Sequence, residues 1–139
     1  MNITNFKLVY KDASYDRTSN PERRSVAELS PIAMTWEAFG ENYRYDFEKS
    51  GSAVPLKHRD GIALVDISEK SRGLIIDPKK NILHEVRIKN IEKNTIINFY
   101  DVYYIDDVLY FFCNANNYDI SAVFDEASME VKSWRYIKY

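Results

Sequence analysis

From Ile62 onward the chain repeats one pattern: a short run of apolar, β-branched or aromatic residues, a tight polar turn, and another such run. Ile62-Ala63-Leu64-Val65-Asp66-Ile67, a turn through Lys70-Ser71-Arg72-Gly73, Leu74-Ile75-Ile76 and a second turn at Asp77 to Asn81 read as two successive hairpins. The next run places Ile82, His84, Val86 and Ile88 on one face, with Glu85, Arg87 and Lys89 on the other. Beyond Asn94, turns at Ile105-Asp106-Asp107, Asn114 to Tyr118 and Asp125 to Ser128 separate strands near 96–104, 108–113, 119–124 and 129–137. Such short connections leave no room for the crossover helices of a parallel sheet. The expected class is therefore mainly β (α+β): a curved antiparallel sheet or half-barrel of about eight strands with one short N-terminal helix.

The first half is less regular. Phe6, Leu8 and Tyr10 alternate as in a strand. Asn20-Pro21 offers a cap and a first helical position, and Ser30-Pro31 ends the segment, so residues 21–29 read as a short helix. Trp36-Glu37-Ala38-Phe39 fits a helical turn or a strand, whereas Tyr43, Tyr45 and Phe47 alternate with Arg44, Asp46 and Glu48 as a strand does. Lys49 to Asp60, with Ser50-Gly51-Ser52 and Pro55, reads as the longest and most mobile loop.

With 139 residues the chain has the size of one domain, and its eleven Tyr, seven Phe and two Trp favour half-buried pleated sheet. The first ten residues lack an apolar run behind a basic start, and no stretch approaches a membrane span of about 18 apolar residues. One cysteine, Cys113, forms neither an internal disulfide nor a multi-cysteine zinc site, which suits a reducing compartment; a cytoplasmic location is the expectation.

Catalytic signatures are weak. His58, between Lys57 and Arg59, reads as a solvated loop residue, and His84 as a hydrogen-bonded core residue on an apolar strand face. A nuclease-like set of His58, His84 and Lys57 needs a convergence that spacing does not supply. Cys113 ends the run Val108-Leu109-Tyr110-Phe111-Phe112, which reads as a strand buried on both faces, where a thiol is inert. The glycines at 40, 51, 61 and 73 build no phosphate-binding loop, and His84-Glu85 point to opposite faces, so neither a cofactor nor a metal is expected. Asp106-Asp107 and Asp125-Glu126 are carboxylate pairs, but Asp is also what hairpin turns recruit for local hydrogen bonds.

Charge is unevenly distributed. Residues 94–139 hold three basic and seven acidic residues, and from Asn94 to Val131 there is no Lys or Arg at all. Asp101, Asp106, Asp107, Asp119, Asp125, Glu126 and Glu130 lie there, with Tyr100, Tyr103, Tyr104, Tyr110 and Tyr118 among them. In a meander the 106–107 and 125–126 turns share one end of the sheet, and Tyr118-Asp119 lies at the other. Carboxylates interspersed with tyrosines suit a cationic protein partner and repel nucleic acid. The candidate contact set is Asp101, Tyr103, Tyr104, Asp106, Asp107, Tyr118, Asp119, Asp125 and Glu126. The same acids also keep an aromatic sheet soluble and protect its edges. In the last strand Met129 and Val131 are out of phase with Trp134 and Tyr136. Either a bulge near Ser133 turns the aromatics inward, or they form a second patch beside Lys132 and Lys138.

Small size, the absence of a catalytic motif, the segment Phe99-Tyr100-Asp101-Val102-Tyr103-Tyr104-Ile105-Asp106-Asp107 and an abundance of Asn and Ile together resemble the immunity proteins of bacterial polymorphic toxin systems, including contact-dependent growth inhibition. That resemblance is one of overall character and transfers no functional residue. It implies a non-enzymatic protein that binds a cognate toxin domain, a nuclease for instance, and covers its active site or a neighbouring surface. Two other classes are compatible with the residues: a β-barrel holding a small molecule among its aromatics, and a small hydrolase using His58 and His84.

Overall fold

The run Ile62-Ala63-Leu64-Val65 has no polar face, so a strand built from it needs apolar neighbours on both sides. A computed structural model, which describes residues 2–137, supplies them. The described residues form eleven strands in three antiparallel sheets. β1 (Thr4–Val9), β2 (Ala33–Ala38) and β3 (Glu41–Asp46) make the first; β4 (Ser50–Pro55), β5 (Ile62–Ile67), β6 (Arg72–Ile76) and β7 (Ile82–Glu85) the second. β8 (Ile97–Ile105), β9 (Val108–Ala115), β10 (Tyr118–Asp125) and β11 (Glu130–Tyr136) make the third, ordered β11-β10-β9-β8.

The second sheet is the middle layer. Ile62, Leu64, Leu74 and Ile76 pack with Met34, Trp36, Ala38 and Phe47 of the N-terminal side. Ala63, Val65 and Ile75 point the other way, into a core with Phe99, Val102, Leu109, Phe111, Cys113, Ile120, Ala122 and Phe124. Alternation along β5 and β6 thus feeds two cores from one sheet. This is not the expected half-barrel of about eight strands: no barrel closes, and the space between the layers is filled by side chains.

Helix content also differs from expectation. Among the described residues only Val26–Leu29 is α-helical, capped by Ser25, whose hydroxyl accepts from the Glu28 amide while the Glu28 carboxylate accepts from the Ser25 amide. Ser25-x-x-Glu28 is a capping box, and it displaces Asn20 as the start. Asn20 instead closes a loop, accepting from the Arg24 amide and the Tyr15 hydroxyl.

The stretch read as a mobile loop, 49–60, contains β4, which pairs with β5 from Ser50↔Ile67 to Pro55↔Ile62. Its small residues serve close packing. A Cβ on Gly51 would fall 2.4 Å from the Phe47 ring, and the Ser52 hydroxyl donates to Asp101 of β8 at 2.6 Å. Trp36 lies in a strand, stacked on Tyr43 and donating its indole N–H to Pro78 O.

Register shifts interrupt four strand pairings, one of them between Thr4 and Lys7 of β1, and the other three reset faces farther along the chain. In β8, Phe99 pairs with Cys113 and Asp101 with Phe112, so Tyr100 is the extra residue; Phe99 and Val102 both face the core although they are three apart. In β11, Val123 pairs with Ser133 and Phe124 with Val131, so Lys132 is extra and Trp134 packs on the core, its indole N–H bound to Lys89 O at 2.7 Å. Of the two arrangements foreseen, the bulge holds for Trp134, while Tyr136 stays exposed and packs beside Tyr118. Lys138 lies outside the described residues. The third shift, between Ile75 and Ile76, turns Ile82 out to 56% exposure, so the apolar face expected for 82–88 is carried by Val86, with Ile88 against the same core.

Candidate partner-binding surface

The β8–β9 connection is a two-residue hairpin. Ile105 pairs with Val108, and between them Asp106 and Asp107 have φ of 48° and 66°. Such turns need left-handed backbone at both centres, which Asp tolerates better than most residues. At the same end of the sheet, the β10–β11 connection is built on Asp125. The Ala127 amide and the Ser128 hydroxyl donate to its carboxylate at 3.1 and 3.0 Å and hold its pKa below the ordinary value.

The loop Lys57-His58-Arg59, between β4 and β5, bridges these two turns. Lys57 Nζ lies 3.3 Å and His58 Nε2 3.4 Å from the Asp107 carboxylate. Glu126 is buried at 7% exposure and accepts from the His58 amide and from the Tyr104 hydroxyl, while Arg59 donates to the Glu126 carbonyl. Tyr104 in turn accepts from the Lys57 amide at 2.8 Å, and Lys57 Nζ sits over its ring. Burial, reinforced by Glu126, raises the Tyr104 phenol well above its ordinary pKa against the opposing Lys57 amide. A depression of about 380 Å³ opens here, with His58, Asp107, Glu126 and Lys132 in its lining.

Tyr104, Asp106, Asp107, Asp125 and Glu126 are thus brought to one end. They do not form a purely negative rim, because Asp107 and Glu126 engage Lys57 and His58, and Glu130 pairs with Lys89 at 3.2 Å. Sequence reasoning missed this loop: 57–59 is distant along the chain, and only its run of three basic residues signalled it. Asp106 is exposed, with no side-chain partner among the described residues. Asp101 lies mid-strand against Ser52, and Asp119 sits at the far end, accepting from Asn114 at 3.2 Å. Tyr118, 62% exposed, is at that far end too.

The outer face of β8–β10 carries a second grouping that includes Tyr103. Tyr103, Tyr110 and Tyr100 lie around Phe112 with ring centroids 4.6, 6.1 and 6.4 Å from it and interplanar angles of 21–25°. β9 is therefore not buried on both faces as expected: Leu109, Phe111 and Cys113 face the core, while Phe112 is covered by its neighbours' rings and Val108 is exposed. Burial pushes the Cys113 thiol up to about 12.

His84 is half-buried, its ring 5.9 Å from that of Phe124 and its backbone opposite Ile75. No group of three or more His, Cys, Asp or Glu able to hold a metal ion occurs among the described residues. No helix among them is long and apolar enough to cross a membrane.

No family model matches the chain, and no curated protein matches it in sequence. A chain of the solved structure described as "Structure of Tne2 in complex with Tni2" is similar to it at a TM-score of 0.71, with 8% identity, covering 98% of this chain and 99% of that one. The two chains share a fold. Because coverage is nearly complete on both sides, the likeness extends over the whole layered arrangement instead of a single hairpin.

Proposed function

We propose that this protein is an immunity protein that binds a cognate toxin domain in the cytoplasm and neutralises it by covering its active site or an adjacent surface. The single observation that carries this reading is the fold shared, end to end, with a chain of the Tne2–Tni2 assembly, a toxin–immunity pair. Occlusion asks for no chemistry from the inhibitor, and tight binding follows from a well-fitted set of contacts. The toxin is a cationic domain, a nuclease in the form that best fits an acid-rich partner. The proposed contact set comprises Asp101, Tyr103, Tyr104, Asp106, Asp107, Tyr118, Asp119, Asp125 and Glu126. Within it, Tyr104 and Glu126 shape the end of the sheet, and Asp106 supplies exposed charge.

The test is protection. Toxin domains encoded beside this chain are expressed with and without it, and growth is followed together with complex formation by size-exclusion chromatography. Restored growth and a stable complex with one such domain are expected. Failure to bind or protect against any of them overturns the proposal.

A further inference from the structure

We propose that the toxin docks on the outer face of the C-terminal sheet, through arginine side chains that stack on the aromatic platform around Phe112. This rests on the immunity reading and gives it a surface and a chemistry. Tyr100, Tyr103, Tyr110 and Phe112 present nearly parallel rings, and Tyr100 and Tyr103 remain 37% and 42% exposed. Rings held against one another in a sheet lose little conformational freedom on binding, which is why tyrosine is favoured at contact centres.

Charge selects the occupant. Cross-strand pairing puts Asp119 opposite Asn114 on the face of Phe112, whereas the Asp101 carboxylate, beside the bulge, is held by the Ser52 hydroxyl and the Val102 amide. β8, β9 and β10 contain no Lys or Arg, and the nearest cation in register on this face is Arg135 of β11, beyond Ser121, so a cation approaching over β8 and β9 meets π-faces and the Asp119 carboxylate first. Guanidinium is the group that uses both: its plane stacks on a ring while its edge donates to a carboxylate. A compact ammonium gains less from the rings. Nucleobases also stack on such platforms, but their phosphates find no basic track along these three strands. The bulge at Tyr100 builds the site. Without the extra residue, Tyr103 would turn into the core and Val102 outward.

Two measurements test the proposal. In the first, affinity for the cognate toxin domain is compared between the wild-type chain and Tyr100→Ala/Tyr103→Ala, with far-UV circular dichroism to check folding. A loss of about 30-fold or more is expected for the double variant. Tyr103→Phe, which keeps the ring, should remain within about threefold, and Tyr103→Arg, which sets a like charge on the platform, should lose as much as the double variant. In the second, a nine-residue arginine peptide, a nine-residue lysine peptide and a single-stranded oligonucleotide are titrated at low salt while aromatic NMR shifts are followed. The arginine peptide should move the Tyr100, Tyr103 and Phe112 signals most. Wild-type-like toxin binding by the alanine and arginine variants overturns the docking face and leaves the immunity reading standing. Arginine-peptide binding at the face with no toxin bound or neutralised overturns the immunity reading alone. Equal response to lysine, preference for the oligonucleotide, or self-association through this face in sedimentation velocity overturns the proposed chemistry.

Discussion

The Tyr104 hydroxyl donates to Glu126 Oε2 at 2.9 Å and accepts from the Lys57 amide at 2.8 Å, so one phenol ties β8 to the β10–β11 turn and to the loop between β4 and β5. Glu126 is nearly buried, and its other oxygen accepts only a 3.2 Å bond from the His58 amide. Tyr104→Phe removes the shorter partner and leaves a buried carboxylate oxygen to find water. A loss of about 1–3 kcal/mol is expected, measured by urea unfolding. Glu126→Gln keeps an acceptor oxygen for only one of the two donors and sets an NH2 against the other, so it too should destabilise the domain.

The same phenol, that of Tyr45 and the Cys113 thiol all weaken the fold at alkaline pH, each being held protonated above its ordinary pKa. Burial, with Asp66 accepting the Tyr45 hydroxyl proton at 2.6 Å, raises the Tyr45 pKa above its ordinary 10.0, and burial with Glu126 does so for Tyr104. Above that value the unfolded chain releases these protons while the folded chain keeps them, so the slope of stability against pH turns negative. The phenols' contribution is fully present below about pH 10 and lost as pH climbs toward the raised folded values. Unfolding free energy measured from pH 8 to pH 12 should begin to fall near the ordinary 9.0 of the Cys113 thiol and fall more steeply from roughly pH 10 upward. Tyr45→Phe/Tyr104→Phe should flatten that fall; an unchanged slope would contradict the assignment.

Strands were legible where alternation and turn chemistry agreed. Asp106-Asp107 is a hairpin because Asp accepts left-handed backbone, and the alternation of Tyr43 and Tyr45 does face a core. β4 was illegible because Ser50, Gly51, Ser52 and Ala53 carry a loop's composition; their smallness answers the Phe47 ring and the approach of β8, contacts that no local window contains. Bulges at Tyr100 and Lys132 each shift the phase by one, so period-2 reading fails beyond them. For the candidate surface, the acids were visible as residues, but their partners at 57–59 join them only through the layering of β4 and β5 against β8.

Gly51→Ala tests that account of β4. The added methyl would stand 2.4–2.5 Å from three Phe47 ring atoms, and Phe47 is itself buried between layers. A ring cannot yield as the tip of a flexible chain does, so the strand or the ring must shift, at a cost of about 1–3 kcal/mol. Gly51→Ala in a Phe47→Leu background should cost less than in the wild-type chain, and the difference between the two measures the contact. Equal effects in both backgrounds would place the strain elsewhere.

If the proposed toxin is the partner, charge at the 106–107 turn should govern how fast it is captured more than how tightly the chain folds. Asp106 is exposed, and the Lys57 and His58 contacts of Asp107 are exposed pairs, worth about 0–1 kcal/mol. Both residues have positive φ, so Asn is the substitution that removes charge and keeps the turn, whereas Lys adds backbone strain to charge reversal. In stopped-flow mixing with the cognate toxin domain, Asp106→Asn/Asp107→Asn should lower the association rate, and Asp106→Lys/Asp107→Lys should lower it further. The wild-type rate should fall as salt rises while dissociation changes little, because screening acts on the long-range encounter. Loss of Asp107 also frees Lys57, whose charge would then repel a basic partner of the kind proposed at the same end of the sheet. Asp107→Asn alone should therefore slow association more than Asp106→Asn alone, although Asp106 is the residue without a partner; the opposite order would mean that the bridging loop does not face the toxin.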